Sequence, residues 1–205
     1  VNPVMIKDIS GRILNNEPVG ITGNDKYKNL LKVTEERWNG QIKYTDNSNN
    51  EYESGVQIIT GKDDKIVFKH TLKLVPQELA VGIGCKKGKS AQEIEQAVKK
   101  TFDKAGLLLE AIAVVASVDR KADETGIIEF ARKWKVPYKT YTPEYLRIVE
   151  GDFVSSAFVE EQIGVGNVCE RSASAASAGG EKLVGKTAGN GITVAIYRVA
   201  HKNKE

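Results

Sequence analysis

The sequence predicts an α/β protein in which a three-layer mixed sheet carries helices on both faces and a small α/β segment precedes it. From Pro76 onward, short apolar runs alternate with amphipathic helical patterns, which is typical of a sheet covered by helices. Residues before this point are more polar and less regular. We therefore predict two domains, a small α/β region over residues 1–75, which need not be complete, and a second domain over 76–205.

The small region has few clear elements. Helical spacing of its apolar residues predicts a helix, an Asn- and Ser-rich stretch predicts a loop, and two short apolar runs around a turn at 61–64 predict a hairpin. These elements are the helix Asp25–Trp38, the loop Thr45–Glu53 and the strands Gly55–Thr60 and Lys65–His70. Leu72–Gln77 is expected to be a connector, because Pro76 cannot donate to a sheet ladder.

The second domain alternates strands and helices in a regular way. Ser90 with Glu93 forms a capping box at the start of one helix, which Gly106 ends, and Pro143 suits the first position of another. A Gly-Asn-Gly turn at 189–191 is expected to join the last two strands as a hairpin. The predicted strands are Leu79–Ile83, Ile112–Val118, Pro137–Tyr141, Lys182–Thr187 and Ile192–Val199. The predicted helices are Ser90–Ala105, Glu124–Lys135, one beginning at Thr142, and Asn167–Ala178.

Composition and charge exclude several classes of protein. The 205 residues are 40% hydrophobic and 28% charged, an ordinary globular balance. Thirty Lys and Arg residues against 27 Asp and Glu leave a net charge of +3, with the signs interleaved. This balance argues against a nucleic-acid partner, although a local basic patch could still bind an anionic small molecule.

The sequence also indicates where the protein works. No run approaches the 18 apolar residues of a membrane span, and no signal-peptide pattern opens the chain, which begins at Val1. Cys85 and Cys169 are the only cysteines, too few for a disulfide framework, so we expect a cytoplasmic protein. His70 and His201 are far apart and lack ligand-type neighbours, so no metal site is expected.

Glycine and lysine residues follow the first strand of the second domain. The segment 82–90 reads Gly-Ile-Gly-Cys-Lys-Lys-Gly-Lys-Ser and leads into a helix. Gly82 and Gly84 would let a ligand approach the backbone, and the lysines would attract carboxylates or phosphates. The spacing is not that of a phosphate-binding P-loop. A glycine turn needed only for packing remains the alternative.

Charged residues follow the second strand, in the segment Asp119–Glu124. Asp123 or Glu124 could simply cap the next helix and favour its dipole. Asp119 and Lys121 are expected to project toward the carboxyl edge of the sheet, where ligands bind in α/β proteins. A carboxylate beside an ammonium group there could act as an acid–base pair.

A third loop, Gly164–Glu170, combines two glycines, Asn167 as a helix cap and a helix of small side chains. Such a surface would let something large and flat lie close to the backbone. Glu170, in the first turn of the helix, is a candidate acid or base.

Taken together, these loops resemble the C-terminal domain shared by the cobalamin-biosynthesis proteins CbiG and CobE. The resemblance covers about residues 74–197 and is carried by four segments in order, namely Leu74–Gly88, Asp119–Glu124, Gly164–Glu170 and Gly191–Ile196. Residues 1–73 resemble, more weakly, the central region that precedes this domain in CbiG. Full-length CbiG proteins carry a further domain upstream, which this chain is expected to lack in part.

The resemblance implies a function in the anaerobic route to cobalamin. CbiG proteins hydrolyse cobalt-precorrin-5A, opening its δ-lactone and releasing a two-carbon fragment as acetaldehyde to give cobalt-precorrin-5B. The implied partner is thus a tetrapyrrole, and the implied cofactor list is empty because the cobalt arrives with the substrate. A homodimer and contacts with other enzymes of the pathway are left open by the sequence. The competing interpretation is a corrinoid-binding module without catalytic activity, as CobE-like proteins could be.

Residues of the three loops fit the reaction that the resemblance implies. Proton transfer is expected from Asp119, Lys121 and Glu170. The corrinoid is expected to contact the three loops, with lysines pairing with its carboxylate arms and its ring plane over the backbone at Gly164 and Gly166. The predicted binding residues are Gly82, Gly84, Cys85, Lys86, Lys87, Glu124, Gly164, Gly166, Asn167 and Cys169. Neither cysteine is expected to be a nucleophile, because neither has a histidine nearby in sequence.

Overall fold

A computed structural model describes residues 3–23, 27, 41–46, 48, 51–62, 65, 67–153 and 166–200. The chain divides into two compact units, Val1–Pro76 and Gln77–Glu205. Among the described residues, no helix is long and apolar enough to cross a membrane.

The first unit is a parallel sheet with one described long helix. Its elements are α1 (Pro3–Leu14), β1 (Val19–Gly23), β2 (Ile42–Tyr44), β3 (Ser54–Ile58) and β4 (His70–Leu74). The strand order is β2-β1-β3-β4, and every pair is parallel. Apolar side chains of α1 and of one sheet face form the core, including Ile9, Val19, Ile21, Val56 and Leu72.

The predicted hairpin of this unit is wrong. The strand predicted at Gly55–Thr60 is present as β3. In the predicted strand Lys65–His70, His70 alone among the described residues is in a strand, as the first residue of β4, and β4 occupies part of the predicted connector. The reason is that β4 runs parallel to β3, with Ser54 opposite His70, and a parallel pair needs a long crossover instead of a tight turn. The predicted helix Asp25–Trp38 lies outside the described residues except for Tyr27, which is helical and buried.

The second unit has nine regular elements among its described residues. These are β5 (Leu79–Cys85), α2 (Ala91–Ala105), β6 (Ile112–Val118), α3 (Thr125–Lys133), β7 (Tyr138–Tyr141), α4 (Pro143–Ile148), α5 (Val168–Ala176), β8 (Lys182–Gly189) and β9 (Ile192–Arg198). They agree with the strands and helices predicted from the sequence, including the closing hairpin.

The five strands form one mixed sheet in the order β7-β6-β5-β9-β8. The three strands β5, β6 and β7 are parallel, whereas β9 runs antiparallel to both β5 and β8. Helices cover both faces of the sheet, so the predicted three-layer α/β fold is confirmed. The loops after β5 and β6 leave the same edge, because the carboxyl ends of neighbouring parallel strands lie together.

Local chemistry sets the helix ends in this unit. Ser90 caps α2 with the predicted capping box, and Gly106 ends the helix in the left-handed conformation (φ 66°) that glycine adopts without strain. Thr142 caps α4, where Pro143 takes the first helical position. Asn167 caps α5 from a left-handed conformation of its own.

Candidate functional site

The loop after β5 exposes two lysines at the carboxyl edge of the second sheet. We call residues 86–89, Lys-Lys-Gly-Lys, the lysine loop. Lys86 and Lys87 are exposed, and the backbone N–H of Lys86 donates to the carbonyl of Gly191 at 2.9 Å, which anchors the start of the loop to the β8–β9 hairpin. Lys89 is half-buried and pairs with Glu93 at 2.7 Å, so it reinforces the start of α2.

Glu124 ties this loop to the segment after β6, residues 119–124, which we call the charged turn. One carboxylate oxygen accepts the backbone N–H of Gly88 at 2.7 Å, and the other pairs with Lys121 Nζ at 2.9 Å. Burial raises the pKa of the Glu124 carboxyl, but the hydrogen bonds from Lys121 and Gly88 outweigh this effect and lower it below its usual value. Glu124 is thus an ionised bridge between the two segments.

The sequence suggested two other roles for this segment. Glu124 does occupy the cap position of α3, but its side chain makes no cap hydrogen bond, because both of its oxygens are used by the bridge. Lys121 was expected to pair with Asp119, whereas the ion pair that the structure shows for it is with Glu124.

Asp119 carries a buried polar atom at the same edge. Its Oδ1 is shielded from solvent and has no hydrogen-bond partner among the described residues. Its backbone carbonyl accepts from the N–H of Ala122 at 2.8 Å, which closes a short 3₁₀ turn. A buried carboxylate oxygen without a partner costs free energy in the folded chain, so such an atom is a candidate for contact with a ligand.

The lysine loop, the charged turn and the start of α3 enclose a depression of about 560 Å³. Four cationic and three acidic side chains line it. They are Lys87, Lys89, Arg120 and Lys121, with Asp123, Glu124 and Glu129. A lining of this size that includes several cations suits an anionic group of a larger molecule.

Three further polar side chains, those of Ser117, Tyr138 and Cys85, lie near this edge of the sheet. Ser117 Oγ donates to the carbonyl of Ile83 at 2.7 Å, and Tyr138 Oη donates to the carbonyl of Lys121 at 2.8 Å. Burial raises the pKa of Tyr138 to about 12, so the phenol stays protonated and keeps donating. Burial also raises the pKa of the half-buried Cys85 thiol, which is therefore a poor nucleophile at neutral pH.

At Gly82 and Gly84, neighbouring residues occupy the space that a Cβ atom would need. A Cβ on Gly82 would lie 1.8 Å from the carbonyl oxygen of Cys169, so the missing side chain lets α5 touch β5. At Gly84 a Cβ would lie 2.6 Å from Thr193 Oγ1 on the neighbouring strand. The packing alternative therefore explains Gly82, because backbone atoms of α5 occupy the space of its Cβ, whereas at Gly84 the close neighbour is a side-chain atom.

The third loop is only partly described. Gly164 lies outside the described residues, and the carbonyl of Gly166 accepts from Arg171 Nε at 3.1 Å. Asn167 is buried, and its Oδ1 accepts both the N–H of Glu170 and the thiol of Cys169, each at 3.4 Å. Its Nδ2 has no hydrogen-bond partner in the part of the chain that the structure describes.

The small residues of α5 face the sheet. Most of the helix is buried, and burial raises the pKa of the Cys169 thiol to about 11. The small side chains therefore allow close packing of α5 against the sheet. Because of this burial, the described part of the helix offers little surface on which a flat ring could lie. The buried residues of α5 are Val168, Cys169, Glu170, Ser172, Ala173 and Ser174.

Glu170 is buried against β8, with only 2% of its surface exposed. Its Oε1 accepts the backbone N–H of Lys186 at 2.5 Å, and its Oε2 lies 3.4 Å from Lys182 Nζ. Burial raises the pKa of this carboxyl, but the hydrogen bond from Lys186 and those from Asn167 and Lys182 outweigh it, so the pKa is lowered. Glu170 is thus an ionised group that joins α5 to β8.

Sequence reasoning missed Arg171, the neighbour of Glu170. Its guanidinium donates to the carbonyls of Leu146 and Val149 at 3.0 and 3.2 Å and stacks 4.5 Å from the centre of the Phe153 ring. These contacts hold the end of α4 against α5. These hydrogen bonds could not be predicted from a local sequence pattern, because the accepting carbonyls precede Arg171 by more than twenty residues.

The structure thus groups the predicted residues into two clusters. The lysine loop, Asp119, Lys121, Glu124 and Cys85 belong to the carboxyl edge, whereas Gly166, Asn167, Cys169 and Glu170 form the start of α5. No group of three or more His, Cys, Asp or Glu side chains that could hold a metal ion occurs among the residues described.

This fold and site define a class of α/β domain in which a mixed five-stranded sheet presents charged loops at one edge. Residues 79–197, more than half of the chain, match the model of the family described as "Cobalamin synthesis G C-terminus". The chain therefore belongs to the CbiG C-terminal family, and the resemblance noted for its second domain is confirmed.

Two similar proteins are named cobalt-precorrin-5A hydrolase. The chain is 35% identical over 130 residues to the cobalt-precorrin-5A hydrolase of Salmonella typhimurium, which covers 63% of this chain and 36% of the relative. It is 28% identical over 141 residues to the protein of the same name from Priestia megaterium, covering 68% of this chain and 37% of the relative. The chain thus spans little more than a third of the length of these relatives.

Solved structures agree on the fold. CobE, a protein from the cobalamin biosynthetic pathway, superimposes with a TM-score of 0.57 at 28% identity, over 62% of this chain and 94% of CobE. A putative cobalamin biosynthesis protein G homologue from Sulfolobus solfataricus matches 98% of this chain and 56% of its own, with a TM-score of 0.51 at 19% identity. The second likeness shows the fold alone.

Proposed function

We propose that this chain is part of a cobalt-precorrin-5A hydrolase, and that its second unit helps to open the substrate lactone and release acetaldehyde. The family match over residues 79–197, with relatives of that name, is the observation that carries the proposal. Because the chain spans little more than a third of those relatives, the reaction is assigned to the protein that contains it.

The depression at the carboxyl edge supports a role in substrate binding. A tetrapyrrole of this class bears acetate and propionate arms, and carboxylates pair well with lysine and arginine side chains. Lys87 and Arg120 line the depression and would receive such arms. Cobalt enters as part of the substrate, so we propose no metal or cofactor held by the protein.

Asp119 is our candidate for proton transfer. Lactone opening needs a group that accepts a proton from the attacking water and returns one to the departing fragment. The buried, unpartnered Oδ1 of Asp119 could accept such a hydrogen bond from bound water or substrate. Lys121, held 2.9 Å from Glu124, would stabilise negative charge that develops on the lactone oxygen.

Glu170 receives a different role from the one predicted. Both of its oxygens are used by β8, and it is almost fully buried. We propose that it holds the start of α5 in place, which makes it a positioning residue. The two thiols have raised pKa values and are given no chemical role.

The test is acetaldehyde release from cobalt-precorrin-5A under anaerobic conditions by the full-length protein that contains this chain. We expect Asp119→Asn to lower kcat about a hundredfold, the lower range for a lost acid–base group. Lys121→Ala should also lower kcat/KM, whereas Lys99→Ala, an exposed lysine of α2, should match the wild type.

Two outcomes would contradict the proposal. Absence of acetaldehyde with the wild-type protein would exclude the hydrolase, and a corrinoid absorbance shift without turnover would then favour the binding module. Full activity in Asp119→Asn would remove this residue from the mechanism.

A further inference from the structure

Large apolar side chains are exposed on α4, the helix that follows β7 at the carboxyl edge of the second sheet. In the described part of the second unit, Tyr145 and Ile148 are the only large apolar residues that are exposed, at 47% and 75% of their surface. They lie three positions apart on the helix, so they share one face. A contiguous apolar patch on a protein surface commonly marks a place where another molecule binds.

A second tyrosine lies behind this patch. The ring of Tyr141, the last residue of β7, stacks on that of Tyr145, with the ring centroids 5.4 Å apart and the planes 15° from parallel. We call Tyr141, Tyr145 and Ile148 the tyrosine shelf. Stacking of this kind holds the ring of Tyr145 in one orientation, while the exposed part of the residue stays open to a ligand.

The backbone beneath the shelf is fixed at both ends of α4. At the start of the helix, Thr142 Oγ1 accepts the backbone N–H of Tyr145 at 3.2 Å. At its end, the guanidinium of Arg171 donates to the carbonyls of Leu146 and Val149. A ligand that stacks on the shelf would therefore lose little affinity to the ordering of the protein.

The shelf adjoins the charged turn that lines the depression. Tyr141 is the partner of Val118 in the parallel pair of β6 and β7, and the charged turn begins at the residue after Val118. The pKa of Glu144, on α4, is lowered chiefly by its own backbone N–H and, among other causes, by the charge of Arg120. Arg120, which lines the depression, therefore lies near α4 as well, so the shelf and the depression flank the same turn.

The shelf itself is uncharged, and charged groups lie at its border. Glu144 and Arg147 are 3.9 Å apart beside it, so their charges compensate each other. This arrangement matches a ligand whose flat body is apolar and whose edge carries carboxylates. A tetrapyrrole has this form, and α5, which is mostly buried, offers little surface for its ring in the described part of the helix.

We propose that the tyrosine shelf carries the flat ring of the tetrapyrrole, stacked on Tyr145 and beside Ile148, while the carboxylate arms of the ligand reach the depression past Arg120. This inference rests on the substrate class proposed above and names the part of the protein that holds its macrocycle. Stacking on an aromatic ring does not depend on the pattern of the arms, so the shelf contributes affinity and the depression contributes orientation.

Binding of cobyrinic acid, a cobalt corrin whose peripheral arms are free carboxylates, tests the shelf in the full-length protein that contains this chain. The shift of the visible absorbance band on titration gives Kd. We expect Tyr145→Ala to weaken binding about tenfold, as the loss of one stacking contact does, and Tyr145→Phe, which keeps the ring, to retain most of the affinity.

Two further variants make the result specific. Ile148→Ala should weaken binding about threefold, because it removes part of the apolar surface beside the ring. Since Ile148 is largely exposed, this variant stays informative even if Tyr145→Ala fails to fold. Leu14→Ala, at an exposed apolar position of the first unit, is the matched control and should bind as the wild type does.

Equal affinity of the wild type, Tyr145→Ala and Ile148→Ala for cobyrinic acid would overturn the shelf, as would an absence of binding to the wild type. The acetaldehyde assay separates this inference from the proposed reaction. Acetaldehyde release from cobalt-precorrin-5A with the same KM in Tyr145→Ala and the wild type would overturn the shelf and leave the hydrolase standing. Binding of cobyrinic acid that depends on the Tyr145 ring, without acetaldehyde release, would support the shelf and exclude the hydrolase.

Discussion

The carboxylate of Glu124 accepts the backbone N–H of Gly88 at 2.7 Å across 36 residues of sequence. The same carboxylate holds Lys121 at 2.9 Å, and its side chain is only 8% exposed. One acidic residue thus fixes the positions of a backbone loop and an ammonium group at the edge where the lysines gather. This arrangement makes the shape of the depression depend on a single side chain.

Replacement of Glu124 by alanine should loosen the lysine loop. It removes the acceptor of Gly88 and leaves Lys121 partly buried without its carboxylate, so we expect a loss of about 2 kcal/mol in the free energy of unfolding. Urea unfolding measures this loss, and faster hydrogen exchange at the Gly88 amide would locate it. Asp123→Ala, an exposed neighbour, is the control; equal stability of the two variants would contradict the bridge.

Replacement of Gly82 by alanine should separate α5 from β5. The new methyl group would meet the backbone of Cys169 at 1.8 Å, and a backbone carbonyl cannot move aside as a side chain can. We expect a loss of about 3 kcal/mol, at the upper end for overpacked cores. Gly189→Ala is the matched control, because nothing lies within 4 Å of its Cβ position; thermal unfolding of both variants decides.

Local sequence patterns predicted the second unit well. The capping box of Ser90 and Glu93, the apolar runs of β5 and β6 and the turn before β9 each depend on residues close together in the chain. The lysine loop and the charged turn could be placed at one edge of the sheet, because each directly follows a strand that was predicted to be parallel to the other. Short-range signals therefore carried the outline of the candidate site.

Long-range contacts could not be predicted in this way. A glycine that admits a ligand and one that admits a helix, as Gly82 does, look alike in a sequence, because both lack a Cβ. The partners of Glu170 lie on β8, and β4 pairs with β3 across a crossover, so neither follows from local spacing. The α/β character of the first unit and the strand that became β3 were predicted, but the strand that pairs with β3 was placed wrongly for this reason.

The two cysteines should react with thiol reagents at very different rates. Cys85 is half-buried, whereas 1% of Cys169 is exposed and burial raises the pKa of its thiol to about 11. We expect the thiol of Cys85 to react in the native chain and that of Cys169 only after unfolding. The reaction rate of the native chain should still be rising near pH 9, because burial also raises the pKa of Cys85. Cys85→Ser should abolish the native reaction; similar rates for both thiols would contradict the burial of Cys169.

The stability contributed by Glu170 should disappear in acid. Its pKa in the folded chain lies below the ordinary value of 4.5, so the folded state favours the carboxylate. The contribution is therefore complete above the unfolded pKa and is lost as the pH falls through the folded pKa. Urea unfolding of the wild type and Glu170→Gln from pH 7 to pH 3 should show a difference that is largest at pH 7 and shrinks below about pH 4.5. Glu110→Gln, at an exposed position, should follow the wild type throughout. A difference that stays constant over this range would mean that the charge of Glu170 does not stabilise the fold.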